Sequence, residues 1–276
     1  EAIDKMDNID FNMKNAYQMM AYNHAVEMYD DGRYGAAVHN FKMSRKYPVD
    51  PHITAMSHYW SAECMYQQQK YDEAIAEYKT FLQIPGSYSL PEHNDAYYNI
   101  AYCHFKKGDY EPAIQNFRTF TQDPNETAHD KIADAYLRIG DAYFVSKNDD
   151  QAIEFYRKAI AENGGQVDYA KYQVGMVQGF QMNYGGKATT MLDIVNNHKG
   201  SVFAVPALFE AAEAFRLNDE NGKAMQHYEK LIIDYPNHPK VVDAVFQIAS
   251  LHFIDENYDQ AEKGYLRVIN EFNNET

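Results

Sequence analysis

A phrase of about 37 residues is written seven times along this chain, and no other feature limits its fold so strongly. The stretch "KYDEAIAEYKTFLQIPG" at 70–86 returns as "DYEPAIQNFRTFTQDPN" at 109–125 and again as "NYDQAEKGYLRVINEF" at 257–272. A catalytic geometry is generally written once, whereas a phrase recurring at a fixed interval marks one structural unit stacked on copies of itself. Taking the alanine that closes "Y-x-x-A" as the anchor gives Ala37, Ala74, Ala113, Ala152, Ala188, Ala224 and Ala261, at intervals of 37, 39, 39, 36, 36 and 37.

The same chemistry surrounds each anchor. Tyr34, Tyr71, Tyr110 and Tyr258 stand three residues before it, and Phe41, Tyr78, Phe117, Tyr156, Leu192, Tyr228 and Tyr265 four after. Seven after come Ser44, Phe81, Phe120, Ala159, Val195, Leu231 and Val268. Anchor, plus four and plus seven form an apolar stripe at helical spacing, which predicts a helix at every anchor. Twelve residues earlier stand Ala25, Ala62, Ala101, Gly140, Met176, Ala212 and Ala249, mostly small, as a close approach between two helices requires. Gly32, Gly108 and "KND" at 147–149 supply turns between the helices, and Pro48, Pro85, Pro124 and Pro236 stop the second helix.

Small residue, polar or glycine turn, "Y-x-x-A-I-x-x-Y/F" and a terminal proline together resemble the tetratricopeptide repeat over residues 12–272. The resemblance implies an all-α, right-handed superhelical α-solenoid of about seven helix pairs. It would run as one solenoid over 1–276, with units near 15–49, 52–86, 92–125, 130–164, 167–200, 203–237 and 240–272. The phrase "HYEKLIIDYPNHPKVVDAVFQIASLHFIDENYDQAEKGYLRVI" resembles the lengthened repeats of bacterial cell-envelope proteins, those associated with Tol-Pal and the outer-membrane-assembly lipoproteins. That likeness implies a periplasmic or outer-membrane-associated location, with a cytoplasmic one as the alternative. The fifth copy departs from the pattern: no tyrosine stands three before Ala188, and Met176 takes the place of a small residue, so a local change of curvature is expected there.

In such a stack the first helix of each pair lines the inner, concave face. Eight residues before the anchors stand Tyr29, Tyr66, Phe105, Phe144, Phe180, Arg216 and Phe253; fifteen before stand Tyr22, Tyr59, Tyr98, Leu137, Gln173, Phe209 and Phe246. Aromatics dominate both rows, so position selects them. Two readings stand side by side. The rings form a ladder gripping an extended or helical peptide, since Tyr and Phe offer large contact area at small entropic cost, or they pack between neighbouring helices. Eleven before the anchors stand Glu63, Tyr102, Asp141 and Glu213, whose three acids add carboxylates along the same stripe, with Arg216 and Lys106 the visible cations. A groove of that sign prefers a basic or neutral segment with apolar anchors. Repeats that hold C-terminal carboxylates resemble one another in placing Lys, Asn and Arg at inner positions. Here Asn23 and Asn99 stand there without the lysines, so that ligand is not expected.

The expected function is a non-enzymatic protein–protein adaptor, with a glycan- or peptidoglycan-associated binder as the alternative. A net charge of −15 repels phosphate backbones and argues against nucleic acid. No G-x-S-x-G, Walker A, G-x-G-x-x-G or H-E-x-x-H occurs, and no cofactor or metal is expected. "NDENG" at 218–222 lacks the spaced acids of a calcium loop. Cys64 and Cys103 have no CxxC companion and occupy equivalent points on neighbouring helices, too far apart for a disulfide, so they are expected as buried apolar residues. The start "EAIDKMDNIDFNMKN" has no signal-peptide pattern, and no apolar run reaches membrane-spanning length. The opening "AIDKMDNI" is expected to be the remnant of an upstream element. Tyr265, Val268 and Ile269 leave the last helix without a polar cap, so continuation past Thr276 or self-association through that end is expected.

Overall fold

The computed structural model describes residues 10–123 and 125–272, so Pro124, the opening "AIDKMDNI" and the end at Thr276 lie outside the described residues. Every regular element among the described residues is helical, and the helices come in antiparallel pairs joined by tight turns, as the anchors predict. Two compact units are present, one ending at Ala128 and the other beginning at His129.

The first unit holds α1 (Phe11–Asp30), α2 (Tyr34–Ser44), α3 (Pro51–Gln67), α4 (Tyr71–Gln83), α5 (Glu92–Lys107) and α6 (Tyr110–Thr121), with a single 3-10 turn at Ser87–Ser89. Local chemistry sets the starts: the Asp10 carboxylate accepts from the Met13 N–H at 2.9 Å, and Asp50 caps α3 at the His52 N–H, 2.8 Å away, with Pro51 in the first turn. Each helix packs on the next in order, and α3 also touches both α1 and α5, so the first helices of this unit make one continuous wall. The fully buried Gln18 ties the first pair to the second. Its amide donates to the Asp50 carbonyl and the Thr54 hydroxyl and accepts from the Val49 and Asp50 N–H groups.

The second unit holds α7 (His129–Val145), α8 (Asp149–Glu162), α9 (Val167–Phe180), α10 (Tyr184–Asn197), α11 (Ala204–Leu217), α12 (Asn221–Asp234), α13 (Lys240–Ile254) and α14 (Tyr258–Phe272). Successive helices again pack in sequence order. It has one buried cluster around Tyr156, Ala159 and Val174 and another around Tyr228, Leu231 and Val245.

One turn geometry closes all seven pairs. A residue with left-handed backbone ends the first helix, and two positions around it bond back across the turn, as in Lys70 N–H to the Met65 carbonyl at 2.9 Å. Gly32 and Gly108 adopt this conformation without penalty; Gln69, Lys147, Met182, Asp219 and Glu256 adopt it against the preference of a side chain.

This turn corrects the register of the fifth copy. In six copies the left-handed residue lies five before the anchor, but Met182 lies six before Ala188 and five before Lys187. The Asn183 N–H to Gln178 carbonyl bond, the counterpart of Lys70 to Met65, agrees with Lys187. Lys187 is therefore the fifth anchor, Tyr184 is the tyrosine three before it, and Gly175 is the small residue twelve before it, facing Met191. The copy is regular, and the expected departure disappears. Lysine replaces alanine there because its buried ammonium reaches the Glu210 carboxylate at 2.5 Å.

Candidate functional site

The two aromatic rows do different work. Rings fifteen before the anchor lie across the second helix of their own pair. Tyr22 meets Phe41 with centroids 5.7 Å apart, Tyr59 meets Phe81 at 5.3 Å, Tyr98 meets Phe120 at 5.0 Å, Phe209 meets Tyr228 at 5.6 Å, and Phe246 meets Tyr265 at 5.6 Å. Tyr59 and Phe209 are buried, 7 and 8% exposed, and offer no face to a partner; Tyr22 and Tyr98 are half-buried, and Phe246 is exposed. With the corrected register the fifth member of this row is Tyr172, not Gln173.

Rings eight before the anchor brace the turn edge-on instead. Tyr29 meets Tyr34 at 5.6 Å, Tyr66 meets Tyr71 at 5.7 Å, Phe105 meets Tyr110 at 5.7 Å and Phe253 meets Tyr258 at 5.5 Å. Tyr29, Tyr66 and Phe105 are half-buried, with part of each ring open on the wall made by α1, α3 and α5. Phe180 does not belong to this row: Gly179 holds the position, and the Phe180 ring leans on the half-buried Phe144 at 5.8 Å.

The half-buried carboxylates eleven before the anchor are held by the second helix of their own pair. Tyr78 donates its phenol proton to Glu63, Tyr156 donates to Asp141 at 2.9 Å, and Tyr228 donates to Glu213. Tyr265 uses Ser250 in the same way at 3.2 Å. Where the residue four after the anchor has no hydroxyl, as at Phe41, Phe117 and Met191, its counterpart eleven before is Val26, Tyr102 or Met176. The pairing is therefore matched in all seven copies, and matching the two rows copy by copy would have revealed it in the sequence. A buried phenol without an acceptor costs about 1–3 kcal/mol, which explains the match. Burial first, and then the adjacent carboxylate, pushes the phenols of Tyr78, Tyr156 and Tyr228 far above their ordinary range.

Two of these acids also hold an arginine of their own helix. Arg138 reaches Asp141 at 2.7 Å and Asp134 at 3.2 Å, and Arg216 reaches Glu213 at 2.7 Å. Arg216 is thus committed to a neighbour. At Glu63 the arrangement differs: the Asn99 amide, from α5, donates to its carboxylate at 2.5 Å and to the Tyr59 hydroxyl at 3.2 Å. Beside it opens a cavity of about 190 Å³ lined by Glu63, Tyr66, Tyr78, Tyr98, Asn99 and Tyr102.

Cys64 and Cys103 are free and fully buried, as expected, and burial followed by the Glu63 charge pushes both thiols up to about 12. Among the described residues no group of three or more His, Cys, Asp or Glu could hold a metal ion, and no helix is long and apolar enough to cross a membrane. At the α13–α14 edge, Phe253, Tyr258, Leu266 and Ile269 are exposed around an apolar hollow of about 370 Å³.

Family models described as tetratricopeptide repeat match residues 22–89, 95–122, 133–164 and 206–238, together more than half of the chain. The chain is a tetratricopeptide repeat protein. No curated protein sequence matches this repeat protein. Among solved structures it is similar to the C-terminal part of a TPR repeat-containing protein from Cytophaga hutchinsonii, at 19% identity and TM-score 0.70, over 90% of this chain and 94% of that one. A tetratricopeptide repeat protein from Parabacteroides merdae is similar at 16% identity and TM-score 0.57, over 92% of each chain. YrrB, described as a TPR protein with an unusual peptide-binding site, is similar at 17% identity and TM-score 0.52, over 67% of this chain and 88% of its own. At these identities the likeness concerns the fold.

Proposed function

We propose that this repeat protein is a non-enzymatic adaptor of the cell envelope whose α1, α3 and α5 wall takes a segment of a partner protein, basic or neutral with apolar anchors. The observation that carries this is the row of part-open rings, Tyr29, Tyr66 and Phe105, repeated on three helices of which the middle one touches the other two. Such a row presents apolar faces at the spacing of the repeat, and the neighbouring carboxylates favour cations over anions. A peptide-binding site described for the similarly folded YrrB supports this reading. Tetratricopeptide proteins bind protein or peptide partners generally, so the fold is suited to the task.

Peptide arrays probed with the whole chain test it. Retention of peptides carrying Lys or Arg beside apolar residues, lost in a Tyr29→Ala/Phe105→Ala variant that keeps its helicity, is the expected result. Retention of cell-wall glycan with no peptide bound would overturn the adaptor in favour of a glycan binder. Fractionation of cells expressing the full-length protein checks the location.

A further inference from the structure

We propose that the second unit carries a docking row for an amphipathic helix of a partner protein, one with apolar side chains seven residues apart and Lys or Arg beside them. The row is made by the exposed side chains of Val145, Phe180, Leu217 and Ile254. It belongs to the other unit from the wall of α1, α3 and α5, and its failure would leave the reading of that wall untouched.

One place in the repeat carries the argument. Seven residues before the anchor, and two before the left-handed turn residue, stand Asp30, Gln67 and Lys106 in the first unit and Val145, Phe180, Leu217 and Ile254 in the second. All seven are exposed. Packing within the stack therefore does not choose the residue there, since an acid, an amide and a base serve three copies as well as hydrocarbon serves four. Yet the second unit places an apolar side chain there every time, 56, 63, 43 and 64% exposed along the row. Single exposed apolar residues are ordinary, whereas a row at one place in consecutive repeats marks a surface that another molecule covers. Its members are joined through the fold. The Phe180 ring leans on Phe144, the neighbour of Val145, at 5.8 Å; Phe203, at the head of α11, packs on Tyr172 of α9 at 5.1 Å; and α11 touches α13.

Spacing selects the occupant. Helices packed side by side stand about 8–10 Å apart, so the row steps by about that much per repeat. Seven residues of α-helix rise about 10.5 Å and return to one face, so a helix of about 20 residues meets all four places. A β-strand returns to one face at every second residue, at about 6.6 Å and then about 13 Å, and falls out of step. A polyproline helix keeps the step, at about 9 Å per three residues, but its backbone carbonyls need water or a donor, and the four side chains offer neither. Charge narrows the partner further. Among the residues one and two places after each member of the row, Asp219, Asp255 and Glu256 are acids and Lys147 is the one base. Lys or Arg on the partner is favoured, toward the α11 and α13 end of the row.

The test uses the whole chain. A helix-forming alanine peptide of about 22 residues, with leucine at every seventh position and lysine beside it, is labelled and titrated by fluorescence anisotropy. Three further peptides are compared: one of the same composition with the leucines scrambled, one with glutamate for lysine, and a proline-rich one with leucine at every third position. The seven-spaced basic peptide should bind at least tenfold tighter than each. Phe180→Ser/Ile254→Ser, at the two most exposed members of the row, should lose at least tenfold of that affinity with helicity unchanged. Gln67→Ser/Lys106→Ser, at the same places of the first unit, should lose none. Equal binding of the scrambled or the glutamate peptide, or binding untouched by Phe180→Ser/Ile254→Ser, overturns the row. Binding of the proline-rich peptide at least as tight overturns the helix as its occupant. A dimer in sedimentation velocity that Phe180→Ser/Ile254→Ser dissociates overturns the partner in favour of a second copy of this chain. Tyr29→Ala/Phe105→Ala should leave this binding unchanged; a loss there in place of a loss in Phe180→Ser/Ile254→Ser puts the peptide on the first unit and leaves that wall standing without the row.

Discussion

The phenol of Tyr156 donates to the carboxylate of Asp141 at 2.9 Å across fifteen residues of chain, linking the second helix of a pair to the first. Asp141 accepts there from Tyr169 as well, also at 2.9 Å, and holds Arg138. Tyr156→Phe should cost about 1.5–3 kcal/mol, the worth of one hydrogen bond to a charged group. Asp141→Leu should cost more, about 3–5 kcal/mol, because it strips two phenols of their acceptor and leaves Arg138 without the closer of its two carboxylates. The two should not add: with the Tyr156 hydroxyl already gone, losing its acceptor matters less. Urea unfolding of both single variants and the double variant measures this, and strict additivity would contradict the buried link.

Lys187 stands where the six other anchors are alanine, and its ammonium is held by Glu210. Glu210→Leu should cost about 3–5 kcal/mol by leaving the buried charge uncompensated. Adding Lys187→Ala should recover most of that loss by restoring the ordinary anchor. Thermal melts of the single and double variants decide, and a double variant no better than Glu210→Leu would place Lys187 off the anchor position.

A Cβ on Gly140 would lie 2.6 Å from the ring of Tyr156, which is fully buried and has nowhere to move. Gly140→Ala should therefore cost about 1–3 kcal/mol despite the better helix propensity of alanine. Gly35→Ala, on a helix with nothing within 4 Å of the new atom, should be neutral or slightly stabilising. Calorimetric melting of the two variants gives opposite signs if the close approach at Gly140 is as described.

Burial works to raise the Glu77 carboxyl, but hydrogen bonds from His58 and Arg45 outweigh it and hold the group below the usual carboxylate range. A carboxyl so lowered adds stability above its unfolded value, about 4.3, and that contribution is lost as the pH falls through its folded value. Arg45→Met should accordingly cost about 1–3 kcal/mol at pH 7 and much less at pH 3. Urea midpoints at the two pH values test this; a gap that widens in acid would contradict it.

Cys64 and Cys103, buried and with thiols raised to about 12, should resist alkylation in the folded protein. At pH 8 only about one thiol in ten thousand is the reactive thiolate. Mass spectrometry after iodoacetamide treatment should show modification only in denaturant. Rapid native labelling of either cysteine would show that its helix contact opens.

The helix pairs were legible because their evidence is local: an anchor, its partners four and seven residues on and a turn lie within one stretch, and helical periodicity converts that spacing directly into a buried face. The burial of Ala62, Phe81, Phe117 and Tyr228 follows from it. The fifth register was misplaced because Ala188 imitates the anchor, while the true anchor is a lysine whose justification, Glu210, lies twenty-three residues later.

The candidate site was legible only in part. Residue type and phase brought Tyr66, Tyr98, Tyr102 and Glu63 onto one stripe, and the structure gathers them around one cavity. The sequence alone determined that this chain builds repeated helix pairs with aromatic and acidic residues on the first helix of each. Only the tertiary structure decided which way those residues act, because an acid on a helix is solvated or buried according to what the next helix brings to it. Tyr78, Tyr156 and Tyr228 bring hydroxyls, and those bonds tie the half-buried Glu63, Asp141 and Glu213 to the second helix of their own pair.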